Sequence, residues 1–219
     1  MHHAMSLTLS WAEPRLLAWR RWLPGLVAPV FLVVLAGCGG GTNPLGNPSL
    51  VDNPGITSGQ KLSFAYFQRC INPIFLAQLQ VSVNGVVSTN TCASAGCHDN
   101  TNGTGGAFRV VGTAQPLDVT NPANTPAVIR ASDIFKNFFS AQAETVSGSP
   151  AQSRLLNKPL VRGVLHGGGV VFANEQDPNV RLIGFWITNP VPQGQDEFSA
   201  STAGLFTPND PNTGTCNTQ

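Results

Sequence analysis

Methionine is all but missing from this sequence: both copies, Met1 and Met5, stand at the extreme N-terminus. Charge is nearly as sparse. Asp, Glu, Lys and Arg make up 11% of the 219 residues and leave a formal net charge of +1. With no basic run or stripe, a nucleic-acid partner is excluded. No hydroxyl nucleophile, paired carboxylates or phosphate loop forms a persuasive constellation, so the chain does not read as an enzyme; Ser153 and Asp177 are more simply helix caps. What the chain has instead is 23 glycines, 17 prolines and an ordinary 42% of hydrophobic residues. That combination implies one domain with a real core, built from short elements joined by much loop.

The N-terminus carries an export signal. Arg15, Arg20 and Arg21 precede a short apolar run from Trp22 to Leu35, broken by Pro24 and Pro29, that ends in Leu35-Ala36-Gly37-Cys38. A charged region, an apolar core too short to favour a membrane span and a small-residue cleavage site make residues 1–37 a signal peptide. The ending resembles a bacterial lipobox, which implies that Cys38 is the lipidated first residue of the mature protein. By the sorting rule for such lipoproteins, Gly39 in place of Asp implies the outer membrane if the envelope is Gram-negative. Residues 38–56, rich in Gly, Asn, Pro and Ser, read as a flexible tether spanning about 25 Å.

Export places the other four cysteines, Cys70, Cys92, Cys97 and Cys216, in an oxidising compartment. If Cys92 and Cys97 act together, Cys70 and Cys216 are left to join, closing a loop of well over a hundred residues and adding about 5 kcal/mol on the chain-entropy view.

Between residues 57 and 190 the pattern is helical with one hairpin. Thr57-Ser58-Gly59-Gln60 has the form of a capping box ahead of Phe64, Phe67 and Ile71, and Pro73 ends or kinks that helix. Val81-Ser82-Val83-Asn84-Gly85-Val86-Val87 predicts a hairpin turning on Asn-Gly. Thr125-Pro126 starts a second helix to about Ala143, with Ile129, Ile134, Phe135, Phe138 and Phe139 on its apolar face. Ser153 to Pro159 is a short helical turn, and Asp177-Pro178 opens a helix carrying Val180, Ile183, Trp186 and Ile187. Residues 191–219 read as an irregular tail, anchored only if Cys216 is bridged. The fold class expected is therefore mainly α: a small helical domain with a short β-hairpin and long loops.

The chemistry concentrates in Cys92-Ala93-Ser94-Ala95-Gly96-Cys97-His98. Haem c is held by thioethers from two cysteines, with the histidine after the second as axial ligand; here four residues separate the cysteines where two are usual. A Cys92–Cys97 disulfide with His98 incidental, or a zinc or copper site using Cys92, Cys97, His98 and His166, stand as alternatives. Once the leader is removed no methionine remains, and His2 and His3 go with it. His166, in a glycine-rich turn, is then the one histidine left as a second axial ligand to the iron. Without it the iron would be five-coordinate or water-bound.

Taken in order, Asn72-Pro73-Ile74-Phe75, Cys-x4-Cys-His, Gly105-Gly106-Ala107-Phe108-Arg109-Val110, Ser153-x-Leu155-Leu156-x-Lys158-Pro159, His166-Gly167-Gly168-x-x-x-Phe172 and Ile183-x-x-Trp186-Ile187 resemble the cytochrome c-like domains of planctomycete and other environmental bacterial proteins. The resemblance covers roughly residues 60 to 190. It implies a cytochrome c-like helical fold, one covalent haem c on Cys92 and Cys97, His98 as proximal ligand, His166 as the second, and the Trp186 helix packed near the haem. The expected function is a lipid-anchored electron carrier between exported redox proteins; peroxidase-like activity would need an open haem site, which a His166 ligand opposes. The competing expectation is a structural or interaction lipoprotein held by two disulfides and free of cofactor.

Overall fold

A computed structural model of the protein describes residues 60–219. The signal peptide, Cys38, the tether and Thr57 lie outside the described residues. The first helix does not start at the expected capping box: Gln60 is not helical, and its side chain donates to the Val191 carbonyl. The cap is Ser63, whose hydroxyl accepts from the Tyr66 N–H as α1 (Phe64–Tyr66) begins. A π-helical stretch, Phe67–Ile71, leads into α2 (Asn72–Leu76). Pro73 explains the bulge. Its missing N–H cannot continue the regular ladder, and the Asn72 N–H reaches back to the Phe67 carbonyl instead.

The hairpin forms as the Asn-Gly signal predicts, with β1 (Leu79–Val83) antiparallel to β2 (Val86–Asn90) and Val83 opposite Val86. Asn84 and Gly85 both take positive φ, +51° and +82°, the backbone of a type I′ turn.

The helix expected from Thr125 to Ala143 is two helices, α3 (Pro126–Ala131) and α4 (Asp133–Ala143). Ser132 breaks them. Its backbone is extended, its hydroxyl donates to the Ile129 carbonyl, and the same oxygen accepts from the Phe135 N–H, so one side chain closes one helix and caps the next. The break turns Phe139 outward, 62% exposed, while Ile129, Ile134 and Phe138 are buried. Ser153 does not cap α5 (Arg154–Asn157); it is buried and its hydroxyl accepts from the Val146 N–H. Asp177 does cap α6 (Pro178–Thr188).

Trp186 of α6 is fully buried and donates its indole N–H to the Ser63 carbonyl at 3.0 Å. Phe67 and Phe138 pack on it with ring centres 5.4 and 6.1 Å away. The residues after α6 pack onto the same core. Val191 is buried, Glu197 pairs with Arg130 at 3.0 Å, and Phe206 opens β3 (Phe206–Thr207), which pairs with β4 (Thr215–Cys216). The Tyr66 hydroxyl donates to the Asn217 carbonyl, and Cys216 is bonded to Cys70, the pairing expected from the cysteine count.

The expectation of a mainly α protein is corrected. The described region is 34% helix and 11% strand, with six α-helices and two small sheets. The physical reason is the glycine, proline and asparagine content: long connections such as residues 91–125 are held by side-chain and turn hydrogen bonds in place of helical ladders. Among the described residues no helix is long and apolar enough to cross a membrane.

Replacing both cysteines, Cys70→Ala with Cys216→Ala, should lower the unfolding free energy by up to about 5 kcal/mol for a loop of this length. A urea titration by tryptophan fluorescence measures it, with unchanged stability counting against a stabilising bridge.

Candidate functional site

The motif loop leaves β2 through Asn90 and Thr91 and is pinned at once to the end of α2: the Ala93 N–H donates to the Phe75 carbonyl at 3.2 Å. The four residues between the cysteines do not bow outward. The Cys97 N–H donates to Ser94 O at 2.9 Å and the His98 N–H to Cys92 O at 2.9 Å, so the wider spacer is wound into a tight turn that brings Cys92, Cys97 and His98 to one cavity.

His98 is then fixed from the far side by the segment after the asparagine-rich loop. Val110 N–H donates to His98 O at 2.7 Å, and Asn100 N–H to Val110 O at 3.0 Å, a short parallel bridge. The Phe108 carbonyl accepts the ring Nδ1–H of His98 at 3.0 Å. This segment is itself locked by Asn137 of α4. Fully buried, Asn137 accepts from the Val111 N–H at 2.7 Å and donates to the Val111 carbonyl and to Asn72 Oδ1.

His166 is held the same way by other parts. Its Nδ1–H donates to the Gly169 carbonyl at 2.7 Å, and the next residue, Val170, exchanges two hydrogen bonds with Ser82 of β1, at 2.8 and 2.9 Å. Gly169 makes the approach possible: it has φ +80°, and a Cβ there would lie 2.2 Å from the Ser82 carbonyl oxygen.

The two imidazoles are nearly parallel, 8° between planes, with ring centres 6.2 Å apart. Both Nδ1 atoms are committed to backbone carbonyls, which are acceptors only, so each ring keeps its proton there and presents a bare Nε2. Two imidazoles ligating one metal from opposite sides, at about 2.0–2.1 Å per bond, have ring centres about 6 Å apart. Both rings line one cleft with Cys92, Cys97 and apolar side chains including Phe75 and Ile183. Burial pulls the His98 imidazolium below its ordinary pKa of 6.5 against the raising effect of its bond to Phe108, and His166, Arg109 and Lys158 add to the lowering. The neutral ring is the ligating form.

Cys70 and Cys216 are joined while Cys92 and Cys97 are both free thiols. Burial, with Cys97 beside it, pushes the Cys92 thiol up to about 11. Among the described residues no three His, Cys, Asp or Glu side chains come together to hold a metal ion, so the zinc or copper alternative has no geometric support. Two imidazoles with no third donor suit a metal that carries its own equatorial ligands, as haem does. The residues present therefore fit haem c.

The positioning groups Asn137, Phe108 O and Gly169 were not among the residues expected at the site. Asn137 left one trace in the sequence, a polar residue between Ile134 and Phe138 on an apolar face. The two carbonyls left none. Comparison with protein-family models, curated proteins and solved structures returns no match.

Two outcomes are expected of the site without cofactor. His98 has a folded-state pKa below its unfolded 6.5, so the unfolded chain takes up the proton first and stability falls as pH drops below about 6.5; His98→Gln should flatten that slope in chemical denaturation at pH 7 and pH 5.5. Gly169→Ala should push the loop off β1, read as lost amide-exchange protection at Ser82 and Val170, and retained protection would count against the clamp.

Proposed function

We propose that this chain is an exported c-type cytochrome, an electron carrier with one haem c attached through Cys92 and Cys97 and ligated by His98 and His166. The observation that carries the reading is the pair of near-parallel, Nδ1-anchored imidazoles 6.2 Å apart on a cavity whose wall includes both free thiols. When bound, haem supplies the one-electron iron couple. The chain's residues do the rest: His98 and His166 each present an Nε2 while a backbone carbonyl holds the ring through its Nδ1–H, so the same ligand pair would serve both oxidation states with little rearrangement. Phe75, Phe108, Leu155 and Ile183 on the cavity wall keep water from the site. Two imidazoles in place of a His/Met pair would favour a lower reduction potential, and His98 and His166 both on the iron would oppose peroxidase-like use of it. In this reading the lipobox ending at Cys38 anchors the domain to the cell envelope on the outer membrane, facing exported redox proteins. The cofactor-free structural lipoprotein is less well supported, since it needs Cys92 and Cys97 bridged and both are free.

The test is expression of the full chain with a periplasmic cytochrome-maturation system, followed by denaturing purification and a pyridine haemochrome spectrum. Haem should survive denaturation in the parent and be lost when Cys92 and Cys97 are both changed to Ala; a parent without covalent haem would sink the proposal. In the matured protein His166→Ala should turn a low-spin signal high-spin, and an unchanged low-spin signature would remove His166 from the iron.

A further inference from the structure

Cationic side chains in the described region nearly all have partners. Arg69 donates to the Gly214 and Asn212 carbonyls, Arg109 to the Gly103 carbonyl and Arg181 to Gln176. Arg130, Lys136 and Arg162 are ion-paired with Glu197, Asp133 and Glu175. Among the described residues, Arg154, Lys158 and Lys61 are left without a side-chain hydrogen bond or ion pair, and the first two both line the cavity that holds His98 and His166. They are one helical turn apart: the Lys158 N–H donates to the Arg154 carbonyl at 3.0 Å as α5 closes, so their side chains leave neighbouring positions on one face. Glu144 is the single acidic residue on the same wall and pairs with neither of them, which leaves the wall net positive. A cation at the edge of an otherwise apolar cavity gains little until an anion reaches it.

Haem is a dianion by virtue of its two propionate arms, and those arms lie away from the vinyl groups that cysteines attack. The thiols and the cations also come from separate segments, the 92–98 loop and α5. Resting on the haem reading above, we infer that Arg154 and Lys158 form a carboxylate clamp, each taking one propionate of the macrocycle as a charge-assisted hydrogen bond. The thioethers secure one edge of the cofactor and α5 the other. The clamp holds the propionates ionised and sets the orientation of the ring plane between the two imidazoles. Arg154, exposed, and Lys158, half-buried, are positioning residues in this scheme.

The matured holoprotein tests the clamp. Arg154→Gln, Lys158→Gln and the double variant are compared with the parent and with Lys136→Gln, which removes a cation that does not line the cavity. Two readouts are used: the propionate-bending band in resonance Raman spectra, and the midpoint potential from pH 4.5 to 9. Each single change should shift the Raman band and move the propionate protonation seen in the potential–pH curve upward by about one pH unit, the effect of losing one close opposite charge. The double variant should move it further, Arg154→Lys should restore most of the single shift, and Lys136→Gln should do nothing. If the double variant's band and curve superimpose on the parent's, the clamp is overturned while the covalent haem remaining after denaturation keeps the cytochrome reading intact. A parent that retains no haem after denaturation overturns both.

Discussion

A single buried carboxamide, that of Asn137, sustains the geometry of this protein. Its three hydrogen bonds join α4 to α2 through Asn72 and to both backbone polar groups of Val111. In a chain with so little ladder structure, backbone groups buried in loops must find partners among side chains or cost free energy. Asn137 supplies that partnership at the segment that carries Phe108, whose carbonyl then fixes the His98 ring. Helix packing in the core is thus transmitted to an imidazole in a loop by four successive residues.

The second imidazole depends on a different support. His166 is set by the Gly169 carbonyl, and the Gly169–Val170 backbone is sutured to Ser82 on β1. Since β2 of the same hairpin runs directly into Cys92, one two-stranded ribbon governs both the entry to the thiol loop and the placement of His166. Both rings are thus anchored through Nδ1 to backbone on a cavity that also holds two free thiols. The bridge from Cys70 to Cys216 fastens β4 to the π-helical stretch after α1, and the ion pair of Arg130 with Glu197 holds the segment before β3.

Local signals in the sequence were reliable where one residue type has one physical use. Asn84-Gly85 specified the hairpin because positive φ at both positions suits few other pairs, and Asp177-Pro178 specified the start of α6. They failed where a residue has two uses. Ser132 reads as an ordinary helical position in the 126–143 run, yet its hydroxyl ends one helix and starts another. The Thr-x-x-Gln pattern read as a cap, while Gln60 instead reaches the Val191 carbonyl and Ser63 caps the helix. The fold class erred toward helix for a related reason: periodic apolar residues mark the helices well, but the glycine- and asparagine-rich connections between them have no period and occupy more of the domain than the helices do.

By itself the sequence determined the inventory of the candidate site: two cysteines and a histidine within one heptapeptide, one further histidine and no methionine outside the extreme N-terminus, and an even set of four thiols once Cys38 is set aside. Composition can do this because it is a matter of which donors exist. Only the tertiary structure decided that His98 and His166 lie parallel at 6.2 Å, that Cys70 and not Cys92 or Cys97 pairs with Cys216, and that Arg154 and Lys158 reach the same cavity. Those facts depend on contacts between residues far apart in the chain, among them Ser82 with Val170, Phe108 with His98 and Asn137 with Val111. Backbone carbonyls, identical at every position of the sequence, make the decisive bonds.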